Sequence, residues 1–137
     1  MALVCIGILL VSCGANRLGD PKAQLMRDFG LHIEKKDCVL EELFNNYEGV
    51  PYEGIALYKL TIGEDVRQAF LQWERFPFSE EAEHFLESLS AYVERPSIAD
   101  GCWKMVDRNP GTSAYTNVSL CVYDRATDAA YLLTMDI

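Results

Sequence analysis

The residues of this chain best able to do chemistry are two histidines, five cysteines and 21 aspartates and glutamates. His32 and His84 lie outside the H-E-x-x-H and cysteine-histidine spacings that organise a metal ion or an activated nucleophile. The chain has no G-x-S-x-G turn and no glycine-rich loop of the kind that binds phosphates. The sequence therefore predicts no catalytic centre, no metal site and no cofactor.

Carboxylates lie close together at 41–42 and at 80–81, and again at Asp124 and Asp128. General acid-base catalysis needs two carboxyl groups in different environments within one cleft, whereas adjacent glutamates at a helix start or strand edge ordinarily face water. The segment 124–128 also lacks the ligand spacing and terminal glutamate of an EF-hand loop. A small hydrolase or metal-assisted enzyme of the cell envelope stays open as the alternative function, because residues distant in sequence can converge in space.

The amino-terminal segment is apolar, and every charged side chain follows Cys13. This segment is shorter than the roughly 20 apolar residues of a membrane-spanning helix, but it matches the apolar region of a signal peptide. Leu10-Val11-Ser12-Cys13 is similar to the lipobox of bacterial lipoproteins, in which the cysteine is lipidated. We therefore expect a signal peptide (1–12), a lipid anchor such as palmitate on Cys13, a tether (13–19) and one domain (20–137). The alternative is a buried amino-terminal strand.

Three cysteines, Cys38, Cys102 and Cys121, then remain in the exported domain, so at least one thiol is unpaired. Their spacing contains no C-x-x-C pair, which argues against zinc and against a thioredoxin-like redox site. Cys102 and Cys121 lie on predicted strands, where a cross-strand disulfide is geometrically allowed. The alternative is that both are small buried apolar side chains.

Charge and length limit the class of protein. Twelve lysines and arginines against 21 aspartates and glutamates give a formal charge of −9. The sign is wrong for following a nucleic-acid backbone, so a nucleic-acid partner is not expected. A chain of 137 residues has room for one compact domain.

Three segments have a helical pattern. Asp20 and Pro21 are typical of a helix start, and Gly30 is typical of a helix end. Apolar residues at helical spacing predict a second helix over 64–73, and Ser79 is the expected cap of a third. Strands are predicted at 38–44, 54–62, 102–106, 115–123 and 129–135.

The predicted element order is α-β-β-α-α-β-β-β, which indicates an α+β fold. We expect an antiparallel sheet of about five strands with two or three helices packed on one face. The other face of such a sheet is open, and its aromatic side chains would form a surface that binds a protein or another envelope component. The residues expected there are Trp103, Tyr115, Tyr123 and Tyr131.

A further resemblance rests mainly on residues 101–137. The stretch Trp103-Lys104-Met105-Val106-Asp107-Arg108 and the stretch 118–124, followed by Thr127, Tyr131 and Asp136, are similar to small uncharacterised lipoproteins of gut-type Gram-positive bacteria. The resemblance implies an exported, lipid-anchored protein and no particular activity. The function expected first is a non-enzymatic binding module on the outer side of the cell membrane. An immunity or inhibitor lipoprotein that neutralises a toxin is a special case of it.

Overall fold

The computed structural model describes residues 20–34, 38–49, 53–111 and 114–137. The predicted signal peptide and tether, including Cys13, lie outside the described residues. None of the helices in the described part combines the length and apolar character needed to cross a membrane. The elements, in chain order, are α1 (Pro21–Phe29), β1 (Cys38–Asn45), β2 (Gly54–Ile62), α2 (Glu64–Phe70), β3 (Glu74–Arg75), α3 (Glu80–Ser88), β4 (Gly101–Asp107), β5 (Asn117–Asp124) and β6 (Ala129–Asp136).

All the described strands join one antiparallel sheet in the order β1-β2-β6-β5-β4-β3. The α+β class with an antiparallel sheet is therefore confirmed. The sheet has six strands because Glu74 and Arg75, just after α2, pair with Trp103 and Cys102 of β4. A two-residue strand is too short to show an alternating pattern, which explains why the sequence does not reveal it.

The helix ends follow the expected capping chemistry. The Asp20 side chain accepts a hydrogen bond from the Lys22 backbone N–H at 3.0 Å, and Gly30 closes α1 with φ of 69°. The Ser79 side chain accepts from the Ala82 backbone N–H at 3.1 Å at the start of α3. α2 ends at Phe70, earlier than expected, because a turn follows and carries the chain into β3.

Helices cover both faces of the sheet, so the prediction of helices on one face is wrong. Leu25 of α1 and Phe70 of α2 pack with Leu132 on one face, called here the α1/α2 face. Phe85 of α3 packs with Leu133 on the other, called here the α3 face. Strand side chains alternate between faces, and β5 and β6 are buried along nearly their whole length. Such near-continuous apolar strands are typical of a sheet covered on both sides.

Candidate binding cleft

A cleft of about 760 Å³ opens on the α3 face, where β2 begins and β6 ends. Its volume lies within the range of sites that hold small molecules or single anchor side chains. One wall comes from α3 and the turn after it, and consists of His84, Ser88, Leu89 and Tyr92. A second part of the lining comes from the connection between β1 and β2, and includes Asn46, Glu48, Gly49 and Glu53. The remaining described lining is Gly54, Ile55, Ala114, Tyr115, Met135, Asp136 and Ile137.

Tyr115 is held in place within this cleft. Its hydroxyl donates to the Glu81 backbone carbonyl at 3.1 Å, and its ring meets Phe85 edge-on with 5.3 Å between ring centroids. The His84 ring stands at a steep angle to it, with 5.7 Å between centroids. Desolvation raises the pKa of Tyr115, and the negative charges of Glu81 and Asp107 raise it further. The residue therefore presents a neutral aromatic ring to the cleft.

Two glutamates in this second wall are paired through their backbones. Glu48 and Glu53 form an isolated antiparallel bridge, in which each backbone N–H donates to the other residue's carbonyl, at 2.9 Å and 3.1 Å. Directly opposed residues of an antiparallel pair project their side chains to the same side, and like charges in this position repel. The described lining of the cleft carries these carboxylates and that of Asp136, and it includes no lysine or arginine.

Contacts from Tyr47 and Asn46 fix this wall to the sheet. The Tyr47 hydroxyl donates to Asp136 Oδ2 at 2.7 Å, and it lies 3.1 Å from Thr134 Oγ1. The Asn46 side-chain oxygen accepts from the Ile55 backbone N–H at 2.6 Å. A side chain at Gly54 would collide with the Tyr47 backbone, so glycine permits this close approach. The paired glutamates are thereby held against the ends of β2 and β6.

A buried polar network continues from Asp136 across the α1/α2 face. Arg108 contacts Asp136, and its NH1 donates to Asp28 Oδ2 at 2.8 Å and to Ser119 Oγ at 2.6 Å. Ser119 Oγ donates to Asp28 at 2.6 Å and accepts from Gln24 Nε2 at 2.9 Å. The side chain of Asp28 is only 3% exposed. The network therefore joins α1, β5 and β6 behind the cleft.

The ionisation of Asp28 depends on this network. Burial alone would raise the pKa of Asp28, but hydrogen bonds from Arg27 and Ser119 and the positive charge of Arg108 hold it below its ordinary value. Asp28 is therefore a carboxylate at neutral pH and balances the arginines around it.

A second groove of about 470 Å³ shares Tyr92 with the cleft. Its lining includes Leu43 and Phe44 of β1 and Tyr131 of β6. Tyr92 is 57% exposed and Leu43 is 45% exposed. Two of the predicted partner-binding aromatics, Tyr115 and Tyr131, thus line neighbouring depressions on the α3 face.

Trp103 and Tyr123 are buried in the core instead. Trp103 lies on the α3 face, where its ring centroid is 5.6 Å from that of Phe78. Tyr123 lies on the α1/α2 face, stacked on Phe70 at 5.5 Å. An open aromatic face requires a sheet with one bare side, and helices on both sides remove it.

Cys102 and Cys121 are buried free thiols. Cys102 is paired with Tyr123, and Cys121 with Lys104, so the two cysteines share a face as diagonal neighbours rather than directly opposite each other. Burial raises the pKa of Cys121, which keeps it a protonated thiol. This placement fits small apolar packing residues, one of the two alternatives open from the sequence.

The structure does not bring the two histidines together. His84 lines the cleft, whereas His32 lines a separate depression beside Asp65 and Ala69. Within the described ranges, no group of three or more histidine, cysteine, aspartate or glutamate side chains is arranged to hold a metal ion. His84 thus lies beside the Tyr115 ring in the lining of the cleft.

Comparison with protein families, with curated proteins and with solved structures finds no match to this chain.

Proposed function

We propose that this protein is a non-enzymatic binding module, anchored by lipid on the outer side of a membrane, whose cleft receives a positively charged side chain of a protein partner. The observation that carries the proposal is the backbone bridge between Glu48 and Glu53, which places both acidic residues in the lining of a cleft that also contains Tyr92 and Tyr115. Carboxylates and aromatic ring faces are the two groups that attract an organic cation.

The negative charge of the glutamate pair and of the whole chain also favours a cation as the ligand. Glu48 and Glu53 are directly opposed in the bridge, a position in which like charges are unfavourable, so a cation bound between them is favoured. The chain as a whole carries a formal charge of −9, which speeds the approach of a basic partner. Tyrosine is also enriched where proteins meet partners, because it offers a large, rigid contact area.

A matched pair of small ligands tests the cleft. We expect N-acetylarginine amide to bind with a dissociation constant in the millimolar range, about the strength of a single anchor side chain. N-acetylcitrulline amide has nearly the same shape without the charge and should bind at least about tenfold more weakly. Titration of the full chain, followed by the NMR signals of Tyr92 and Tyr115, measures both constants.

The double variant Glu48→Gln/Glu53→Gln should weaken arginine binding about tenfold, because it removes both charges and keeps the shape of the wall. The control Glu74→Gln/Glu87→Gln makes the same change in net charge at exposed positions outside the cleft, and it should bind as the wild type does. Equal weakening in both variants would mean that net charge, and not the cleft, attracts the ligand.

The lipid anchor has its own test. Cells that express the full chain and are fed a fatty-acid analogue should label the wild type and leave Cys13→Ala unlabelled, because the lipobox cysteine is the residue that carries lipid. Cys38→Ala is the control and should label fully. Equal labelling of wild type and Cys13→Ala would remove the anchor from the proposal and leave the cleft to be judged separately.

A further inference from the structure

Strand β1 forms a long edge of the sheet. It spans eight residues and pairs on one side with β2, and within the described part of the chain no strand lies on its other side. The opposite edge, β3, has only two residues. An edge strand presents backbone N–H and C=O groups that can pair with a further strand, and a very short edge is one of the ways in which proteins prevent this. Among the described strands, β1 therefore offers the longer edge.

Most of the described side chains of β1, from Val39 to Leu43, are exposed, whereas Phe44 packs against the core on the α3 face. Val39 is 71% exposed, and Leu43 is 45% exposed. Glu41 and Glu42 between them are also exposed, and β1 itself carries no basic residue. The strand therefore combines an apolar surface with an acidic centre.

We infer that the edge of β1 accepts an extended segment of a partner protein as an additional strand, and that this segment carries basic residues beside Glu41 and Glu42. On its inner side, β1 already shows this pairing, because Glu41 lies opposite Lys59 of β2. Opposite charges in directly opposed positions stabilise a strand pair, and an incoming basic strand repeats the arrangement on the outer side.

A second copy of this chain fits the same edge poorly. Full antiparallel overlap of β1 with itself pairs Glu41 with Glu42 twice, and like charges in this position destabilise the pair. The edge therefore disfavours self-association and selects a partner by charge. This inference does not depend on the cleft.

A short peptide with two adjacent lysines flanked by valines is the probe, because Glu41 and Glu42 point to opposite faces of the sheet and adjacent lysines do the same. At about ten times its dissociation constant, the peptide should slow backbone hydrogen exchange of β1 in the full chain about tenfold, because exchange requires the strand to be released. A peptide with two adjacent glutamates in place of the lysines should give no protection. A lysine peptide interrupted by two prolines should also give none, because it cannot form a regular strand.

Variants separate this edge from the cleft. Glu41→Lys/Glu42→Lys should lose the protection, whereas the control Glu74→Lys/Glu87→Lys and the cleft variant Glu48→Gln/Glu53→Gln should keep it. Loss of protection in the cleft variant would place the peptide in the cleft and overturn the inference. Equal protection by the glutamate or proline peptide, or protection that rises with protein concentration when no peptide is present, would also overturn it.

Discussion

Replacing Asp28 with alanine should lower the free energy of unfolding by about 3–5 kcal/mol, the usual cost of removing one partner from a buried ion pair. The Asp28 side chain is 3% exposed, and it accepts from Arg27, Arg108 and Ser119. Its loss leaves Arg27 without its carboxylate, Arg108 with Asp136 as its remaining carboxylate, and the buried Ser119 hydroxyl without its acceptor. Urea unfolding followed by circular dichroism measures the change.

The pH dependence of this effect has a definite sign. The pKa of Asp28 is lower in the folded chain than its ordinary value of 3.8, so its stabilisation is fully present above that value and is lost as the pH falls through the folded pKa. The wild type and Asp28→Ala should therefore converge in stability at strongly acidic pH. Asp100→Ala, at a side chain 67% exposed, is the control and should change stability by less than about 0.5 kcal/mol. A difference between Asp28→Ala and wild type that is equal at acidic and neutral pH would contradict the assignment.

Phe70→Ala and Phe85→Ala should each cost about 3–5 kcal/mol, because each removes a large side chain from a filled core. Phe70 is 1% exposed on the α1/α2 face, and Phe85 is 0% exposed on the α3 face. A sheet covered on both sides requires both losses to be large. Urea unfolding of the two variants measures them separately.

Met26→Ala serves as the control for these core variants. Met26 is 52% exposed on α1, so its truncation should cost less than about 1 kcal/mol. A similarly small loss for either Phe70→Ala or Phe85→Ala would mean that the corresponding face of the sheet lacks a packed helix layer.

Much of the fold can be predicted from local chemistry. The helix starts are marked by Asp20 and Ser79, whose side chains accept hydrogen bonds from free backbone N–H groups of the first turn. The end of α1 is marked by Gly30, which adopts the left-handed conformation and donates its backbone N–H to the Met26 carbonyl. In the turn after β5, Asp124 accepts from the Ala126 backbone N–H at 3.0 Å and from Thr127 Oγ1 at 2.7 Å. Such contacts act within a few residues, so the sequence alone reveals them.

The layer arrangement is harder to predict because it depends on which face each helix chooses. Strand β5 alternates apolar residues with more polar ones, a pattern that indicates one face of the sheet exposed to solvent. The apolar set is Val118, Leu120 and Val122, and the other set is Asn117, Ser119 and Cys121. The structure buries Ser119 by giving its hydroxyl three partners, two from α1 and the third, Arg108, just after β4. A buried polar residue whose hydrogen-bond partners are distant in sequence gives the same alternation of polar and apolar residues as a polar residue exposed to solvent.

The cleft shows the same limit. The sequence points to Tyr115 and Tyr131 as aromatics able to meet a partner, but it gives no reason to choose Glu48, Glu53 or Tyr92. The two glutamates flank a turn-rich segment, and a bridge across that turn is the signal that could have paired them. Their place in one cleft with Tyr92 depends on α3 covering this face, which becomes visible only in three dimensions.

The most direct test of cation binding is to locate N-acetylarginine amide on the full chain by nuclear Overhauser contacts. We predict contacts from the methylene protons next to its guanidinium group to the ring protons of both Tyr92 and Tyr115, and their loss in Glu48→Gln/Glu53→Gln. Contacts confined to another surface, or the same contacts from N-acetylcitrulline amide at equal concentration, would contradict binding of a positively charged group in this cleft.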